Sequence, residues 1–147
     1  MRAAIGQVYA DLQRRIDERK PLCVISGRCC RFEEFGHRLY VTTAELAAFV
    51  AELGDLKGEP REGGCAFQKG KICGVHAIRP MGCRIFFCDA TATDWQRAIY
   101  EEFHHRLKEL HRELSIPYTY VEWRLACREL GLDSPQHEEP VMKGKSF

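Results

Sequence analysis

The sequence predicts a mainly α-helical single domain with a small β-hairpin, in which an irregular cysteine-rich core packs on helices. Three observations support this fold class. Apolar residues recur at three- and four-residue steps near both ends of the chain, as on the buried face of an amphipathic helix. The length of 147 residues suits one hydrophobic core. Seven of the eight cysteines fall between Cys23 and Cys88, where much of the sequence is loop-like.

The first helix is predicted over residues 2–19, and Pro21 ends it. Its apolar stripe consists of Ile5, Val8, Leu12 and Ile16. The stretch that follows, up to Gly36, contains two glycines and no sustained period. It is therefore expected to form a loop that carries the first cysteines.

A short strand at 37–41 and a second helix are predicted next. Thr42 precedes Glu45 by three residues, which is the pattern of a capping box at a helix N-terminus. The helix is expected to run to about Leu53, because Gly54 is typical of the residue that ends a helix.

Segment 65–75 consists of two short stretches around a turn at Gly70, which predicts a hairpin. Such a hairpin would bring Cys65 and Cys73 close together. A short helical turn is expected at 75–79, because a proline follows it.

Two further helices are predicted in the C-terminal part of the chain. The first is capped by Thr93 or Asp94 and spans about 20 residues. Its apolar face consists of Trp95, Ala98, Ile99, Phe103, Leu107, Leu110 and Leu114. Pro117 is expected to open the second helix, and Gly131 closes it.

These elements predict one domain over residues 1–131, with its helical part at 92–131, and a mobile tail at 132–147. A content of 45% hydrophobic and 29% charged residues excludes a wholly disordered chain. The formal net charge of +1 gives no global field for nucleic acid, and no apolar run is long enough to span a bilayer. The first twenty residues are charged throughout, unlike a secretory signal, so a cytoplasmic protein is expected.

The cysteines carry the chemical signal. In a reducing compartment structural disulfides are rare, so clustered cysteines indicate metal ligands or redox chemistry. A disulfide framework is the alternative, although an odd cluster of seven fits it poorly. Thiolates bind soft and borderline cations strongly. We therefore predict a metal-binding core at 22–88 whose candidate ligands are Cys23, Cys29, Cys30, Cys65, Cys73, Cys83 and Cys88.

The second half of this core reads Cys65-Ala-Phe, then Cys73, then Arg79-Pro80-Met81-Gly82-Cys83-Arg84. Together with the cysteines that precede it, this block resembles the CxxCxxCC family, often called YkgJ-like, of zinc- or iron-chelating proteins. The resemblance covers residues 22–88, almost half of the chain. Ser26 stands where the family has its second cysteine, and serine is a poor ligand for soft metals.

The resemblance implies a protein that chelates zinc or iron, and it leaves open which metal binds and whether the centre is mononuclear, multinuclear or an iron–sulfur cluster. The cysteine spacings are wider than those of tight zinc knuckles. The apolar residues 85–87 would shield an iron–sulfur cluster, or simply pack in the core. Arg79 and Arg84 lie inside the family-like motif, and we predict that they support the metal centre by offsetting the negative charge of its thiolates.

Other residues are expected to have structural roles. His76 follows Cys73 by three residues and is an alternative ligand, but single histidines near metal loops are more often packing or surface residues. His104 and His111 share a face of the long helix and are expected to be solvated. Cys127 is expected to be buried as a small apolar residue, and both tryptophans to anchor the core.

The predicted function is binding of zinc or iron through loop thiolates. One alternative is an iron-dependent or iron–sulfur enzyme, in which an open coordination position or a spare thiol such as Cys30 reacts. Another is a metal-stabilised module that binds a protein partner. The sequence contains no Ser-His-Asp order, phosphate-binding loop or dinucleotide fingerprint, so whether the chain is an enzyme stays open.

Overall fold

The computed structural model describes residues 1–20, 38–61, 63–70, 72–85 and 90–133, and there the chain is mainly helical, as predicted. The helices in these ranges are α1 (Arg2–Arg19), α2 (Thr43–Leu53), α3 (Met81–Ile85), α4 (Thr93–Glu113) and α5 (Trp123–Glu129). The strands are β1 (Tyr40–Thr42), β2 (Gln68–Lys69), β3 (Ile72–Cys73) and β4 (Tyr120–Glu122). The predicted loop up to Gly36 and most of the predicted tail at 132–147 lie outside the described residues.

The predicted apolar stripe of α1 is buried, and the helix ends at Lys20 with φ 52°. The stripe forms a core with residues of α2, α3 and α4, which we call the helix cluster. Burial of each large aliphatic side chain contributes roughly 1.5–3 kcal/mol, so this cluster is a major source of stability. Its buried members are Ile5, Val8, Leu12, Ile16, Ala44, Ala48, Met81, Ile85, Ile99, Phe103 and Leu107.

A second core, the tryptophan cluster, consists of Leu39, Val41, Phe49, Leu53, Cys65, Phe67, Val75, Trp123, Cys127 and Leu132. The ring of Phe49 meets that of Trp123 edge to face, with centroids 4.8 Å apart, and that of Phe67 at 5.4 Å. Trp123 is thus a core anchor, as predicted, and Trp95 packs half-buried against the helix cluster. Leu132 is only 5% exposed, so packing reaches the start of the predicted tail.

β1 and β4 form an antiparallel two-stranded sheet. The register pairs Tyr40 with Glu122, Val41 with Val121 and Thr42 with Tyr120. The helix predicted from Pro117 is therefore wrong in its first half, because residues 120–122 pair with a strand that is distant in sequence. Helix α5 begins only afterwards, where the Glu122 carboxylate accepts the Leu125 N–H at 2.8 Å as an N-cap.

β2 and β3 form the predicted hairpin, with Gln68 opposite Cys73. Gly70 has a φ of 63°, a conformation that glycine adopts without strain. The helical turn expected at 75–79 is a 3₁₀ turn over His76–Ile78.

α3 was not predicted from the sequence. The carbonyl of Pro80 accepts hydrogen bonds from the N–H groups of Cys83 and Arg84 at 3.1 and 3.3 Å. Proline has no N–H of its own, and at the start of a helix this costs no hydrogen bond. A Cβ at Gly82 would collide with the side chain of Leu39. Glycine therefore permits the close approach of α3 to the segment that leads into β1.

α4 begins at Thr93 with Ala92 in the N-cap position, so the predicted cap by a Thr93 or Asp94 side chain is wrong. Its apolar face is largely as predicted, and the buried residues are Ile99, Phe103 and Leu107, with His111 after them. Leu114 lies beyond the helix end and is 44% exposed. In the described part of the chain, neither this helix nor any other has the length and apolar content needed to cross a bilayer.

The N-terminus of α2 carries the predicted capping box. Oγ1 of Thr42 accepts the Glu45 N–H at 3.3 Å, and Oε2 of Glu45 accepts the Thr42 N–H at 3.0 Å. The N–H of Thr43 donates to a backbone carbonyl just before β4, and that of Ala44 donates to Nε2 of His111 at 3.0 Å. All four amides that a helix start leaves without an intrahelical acceptor are thus satisfied.

His111 is 2% exposed, so the prediction that it is solvated is wrong. Because its Nε2 accepts from Ala44 and its Nδ1 lies 2.7 Å from the Leu107 carbonyl oxygen, the ring is neutral with the proton on Nδ1. His104 is also not fully solvated: its ring is half-buried and stacks on Tyr120 with centroids 4.5 Å apart. Helical spacing placed both rings on one face but did not show what covers it.

We expect His111→Leu to lower the free energy of unfolding by about 1–3 kcal/mol, because it leaves the buried Ala44 N–H without an acceptor. Urea unfolding followed by circular dichroism measures this. His105→Leu is the control on the same helix, since the His105 side chain is 73% exposed. It should change the stability by no more than about 0.5 kcal/mol. Equal losses in both variants would contradict the assigned role of His111.

The carboxylate of Glu45 links three helices. Besides the Thr42 amide, its Oε2 accepts the Thr42 hydroxyl at 3.2 Å. Its Oε1 accepts the N–H of Met81 at 2.8 Å and the hydroxyl of Tyr9 at 3.2 Å. Burial raises the pKa of this carboxyl, while the hydrogen bonds that it accepts lower it in part. Glu45 thereby connects α1, the start of α2 and the start of α3.

A raised pKa means that the folded protein holds the Glu45 proton more tightly than the unfolded chain does. The stabilising contribution is full below the ordinary glutamate pKa of about 4.3 and is lost as the pH rises through the folded-state pKa. The Glu45→Gln side chain does not ionise, so this variant does not lose stability through ionisation at position 45 as the pH rises. Its stability relative to the wild type should therefore improve as the pH is raised from about 4 to about 8. Unfolding curves across this range test it, with the exposed Glu52→Gln as control, and a relative decline would refute it.

Candidate metal centre

Three of the predicted ligands lie in the described residues. Cys65 belongs to the tryptophan cluster and is 5% exposed, and Cys73 and Cys83 are half-buried and pack against the same cluster. They come from the loop before the hairpin, from β3 and from α3, so three separate segments meet one hydrophobic surface. The remaining candidates lie outside the described residues, and they are Cys23, Cys29, Cys30 and Cys88.

Cys65 accepts a hydrogen bond from the indole of Trp123, with Nε1 3.4 Å from Sγ. The indole is held in place by its edge-to-face contact with Phe49. The sulfur of Cys65 therefore has an N–H donor in a fixed position.

The hairpin fixes the position of Cys73. The N–H of Gly74 donates to the Phe67 carbonyl at 2.8 Å, which ties the residue after Cys73 to the tryptophan cluster. A Cβ at Gly74 would lie 2.7 Å from that carbonyl oxygen. The chain therefore needs glycine directly after Cys73.

Arg79 and Arg84 hold the backbone that leads to Cys83. Nε and Nη1 of Arg79 donate to the carbonyl oxygens of His76 and Cys83 at 2.9 and 3.3 Å. Nε and Nη2 of Arg84 donate to those of Arg79 and Ala77 at 2.6 and 3.2 Å. Both guanidinium groups thus have a positioning role, and their predicted role in offsetting thiolate charge stays a prediction.

The guanidinium of Arg84 lies over the ring of Tyr9, with Cζ 4.1 Å from the ring centroid. Burial and the charge of Glu45 raise the pKa of the Tyr9 hydroxyl, so it remains a donor to that carboxylate. Burial lowers the pKa of the Arg84 guanidinium, and the negative charges of Tyr9, Cys83 and Glu45 offset this shift only in part. No local pattern in the sequence indicates this arrangement, since the capping box predicts for Glu45 only a role as a helix cap.

The structure also shows the surroundings of His76, the alternative ligand, and of Cys127, the cysteine that was not predicted to bind metal. The side chain of His76 is mostly exposed to solvent. The part of it that is buried, and then the positive charges of Arg79 and Arg84, lower its pKa. Cys127 is 2% exposed, which confirms its predicted burial, and it lies in the same cluster as Cys65. Burial, followed by the charge of Cys65, raises the pKa of the Cys127 thiol, which keeps it protonated.

Over the described ranges, no three His, Cys, Asp or Glu side chains come together as a metal ion would require. Among the same residues no disulfide joins one cysteine to another. Neither a protein-family model, nor a curated protein, nor a solved structure matches the chain. The resemblance to the CxxCxxCC family therefore depends on the sequence motif alone.

Proposed function

We propose that the chain binds zinc or iron through cysteine thiolates. The observation that best supports this is that Cys65, Cys73 and Cys83, which come from separate segments, contact one hydrophobic cluster. A buried apolar surface lowers the local dielectric constant and so strengthens the attraction between thiolates and a cation. The proposed ligands are drawn from these three together with Cys23, Cys29, Cys30 and Cys88.

Two neighbouring groups suit a centre of this kind. Several thiolates around one ion carry net negative charge, which hydrogen-bond donors and cations reduce. The Trp123 indole donates to Cys65, and the Arg84 guanidinium lies near Cys83. A bound zinc ion would supply structural cross-linking of the loop segments, and an iron–sulfur cluster would supply electron transfer.

Metal analysis of protein purified without oxygen tests the proposal and identifies the metal. We expect either stoichiometric zinc in a colourless protein, or iron with a visible absorption band that dithionite bleaches. Folded protein with all its thiols reduced and with neither metal, even after incubation with zinc or ferrous salts, would overturn the proposal.

Two matched cysteine variants test the ligand assignment. Cys83→Ala removes a proposed ligand and should lose most of the bound metal. Cys127→Ala removes a buried thiol that is held protonated, so it should keep its metal and lose stability only on the order of 1 kcal/mol. Elemental analysis and circular dichroism measure both effects. Equal metal loss in the two variants would contradict the assignment.

A further inference from the structure

An open groove of about 400 Å³ lies between α1 and α2 and reaches the turn at His76–Ile78. Its floor is apolar, because Ile5, Ala48 and Phe49 line it and are only 1%, 7% and 2% exposed. Ile5 and Ala48 belong to the helix cluster and Phe49 to the tryptophan cluster, so the groove lies where the two cores meet. Its volume falls within the range of small-molecule sites, roughly 300–1,000 Å³.

The groove remains open because α1 has no side chain at Gly6. A Cβ built there meets no atom within 4 Å, and Gly6 lines the groove. Glycine inside a helix is unfavourable relative to alanine. Here it stands at a position where a larger side chain would occupy the groove.

Arg84 gives the groove a positive charge, because its half-buried side chain lines one side. Its Nε and Nη2 donate to neutral carbonyl oxygens. Within the described ranges its Nη1 has no hydrogen-bond partner, and no carboxylate lies within ion-pair distance of it. Arg2, which also lines the groove, is instead neutralised by an ion pair with Glu52. A partly buried cation is stabilised by a counter-charge, so this groove suits an anionic group beside Arg84.

We propose that the groove binds a small aliphatic carboxylate. Its chain would lie on Ile5, Ala48 and Phe49, and its carboxylate would accept hydrogen bonds from Arg84. Tyr9, which underlies the guanidinium, is seven residues from Arg2, a separation of about 10 Å along α1. A medium-length chain fits this span. The site uses the charge of Arg84 and the shape of the groove, and it does not depend on metal binding.

Titration of the ¹⁵N-labelled 147-residue chain with octanoate, followed by nuclear magnetic resonance, tests the proposal. We expect saturable shifts of α1 and α2 amides, and binding of the uncharged octan-1-ol that is weaker by about tenfold or more. Gly6→Leu fills the groove at a position that favours a helix, and it should abolish binding without unfolding the protein or changing its metal content. Ala3→Leu, on the exposed surface of the same helix, should bind as the wild type does. Arg84→Gln should weaken octanoate binding to the level of octan-1-ol.

Four results would overturn the proposal. The first is the absence of saturable octanoate binding to the wild type, and the second is binding that Gly6→Leu leaves unchanged. The third is equal affinity for octanoate and octan-1-ol, which would remove the role of Arg84. The fourth is concentration-dependent dimerisation that Gly6→Leu abolishes, since this would assign the groove to a second copy of the chain.

Discussion

The buried carboxylate of Glu45 is the constraint on which the arrangement of the helices depends. It caps α2, accepts the Met81 amide at the start of α3, and accepts the hydroxyl of Tyr9 from α1. A buried carboxylate is tolerated only when several donors replace its water, and four donors do so here. Cys83 follows Met81 by two residues on α3, so the position of a candidate ligand is determined by this network.

Features with local causes could be predicted from the sequence. The capping box at Thr42 and Glu45, the stripe of α1 and the hairpin at Gly70 each depend on residues a few positions apart. The strand β4 and the buried His111 depend instead on distant partners, and the Ala44 N–H that His111 accepts is 67 positions away. A periodic pattern does not contain such partners, so the strand resembled a helix and the histidine a surface residue.

In the candidate site, too, some residues could be predicted from local sequence, whereas the groups that contact them could not. The cysteines and arginines could be proposed as site residues from the sequence because residue type and spacing indicate their chemistry, and this assignment stays a prediction. The groups that support them, such as the indole on Cys65 and the Tyr9 ring under Arg84, come from helices far away in sequence. Cys127 shows the limit of sequence spacing, because it lies apart from the other cysteines along the chain and yet shares a hydrophobic cluster with Cys65.

The pairing of β1 with β4 joins residues 80 positions apart, as with Val41 and Val121. β4 leads directly into Trp123, whose indole covers the sulfur of Cys65. Because a protein is made from its N-terminus, Cys65 leaves the ribosome well before Trp123 has been added. The contact between the indole and this thiol therefore forms late, and Cys65 in the nascent chain is exposed to solvent before the tryptophan cluster can form.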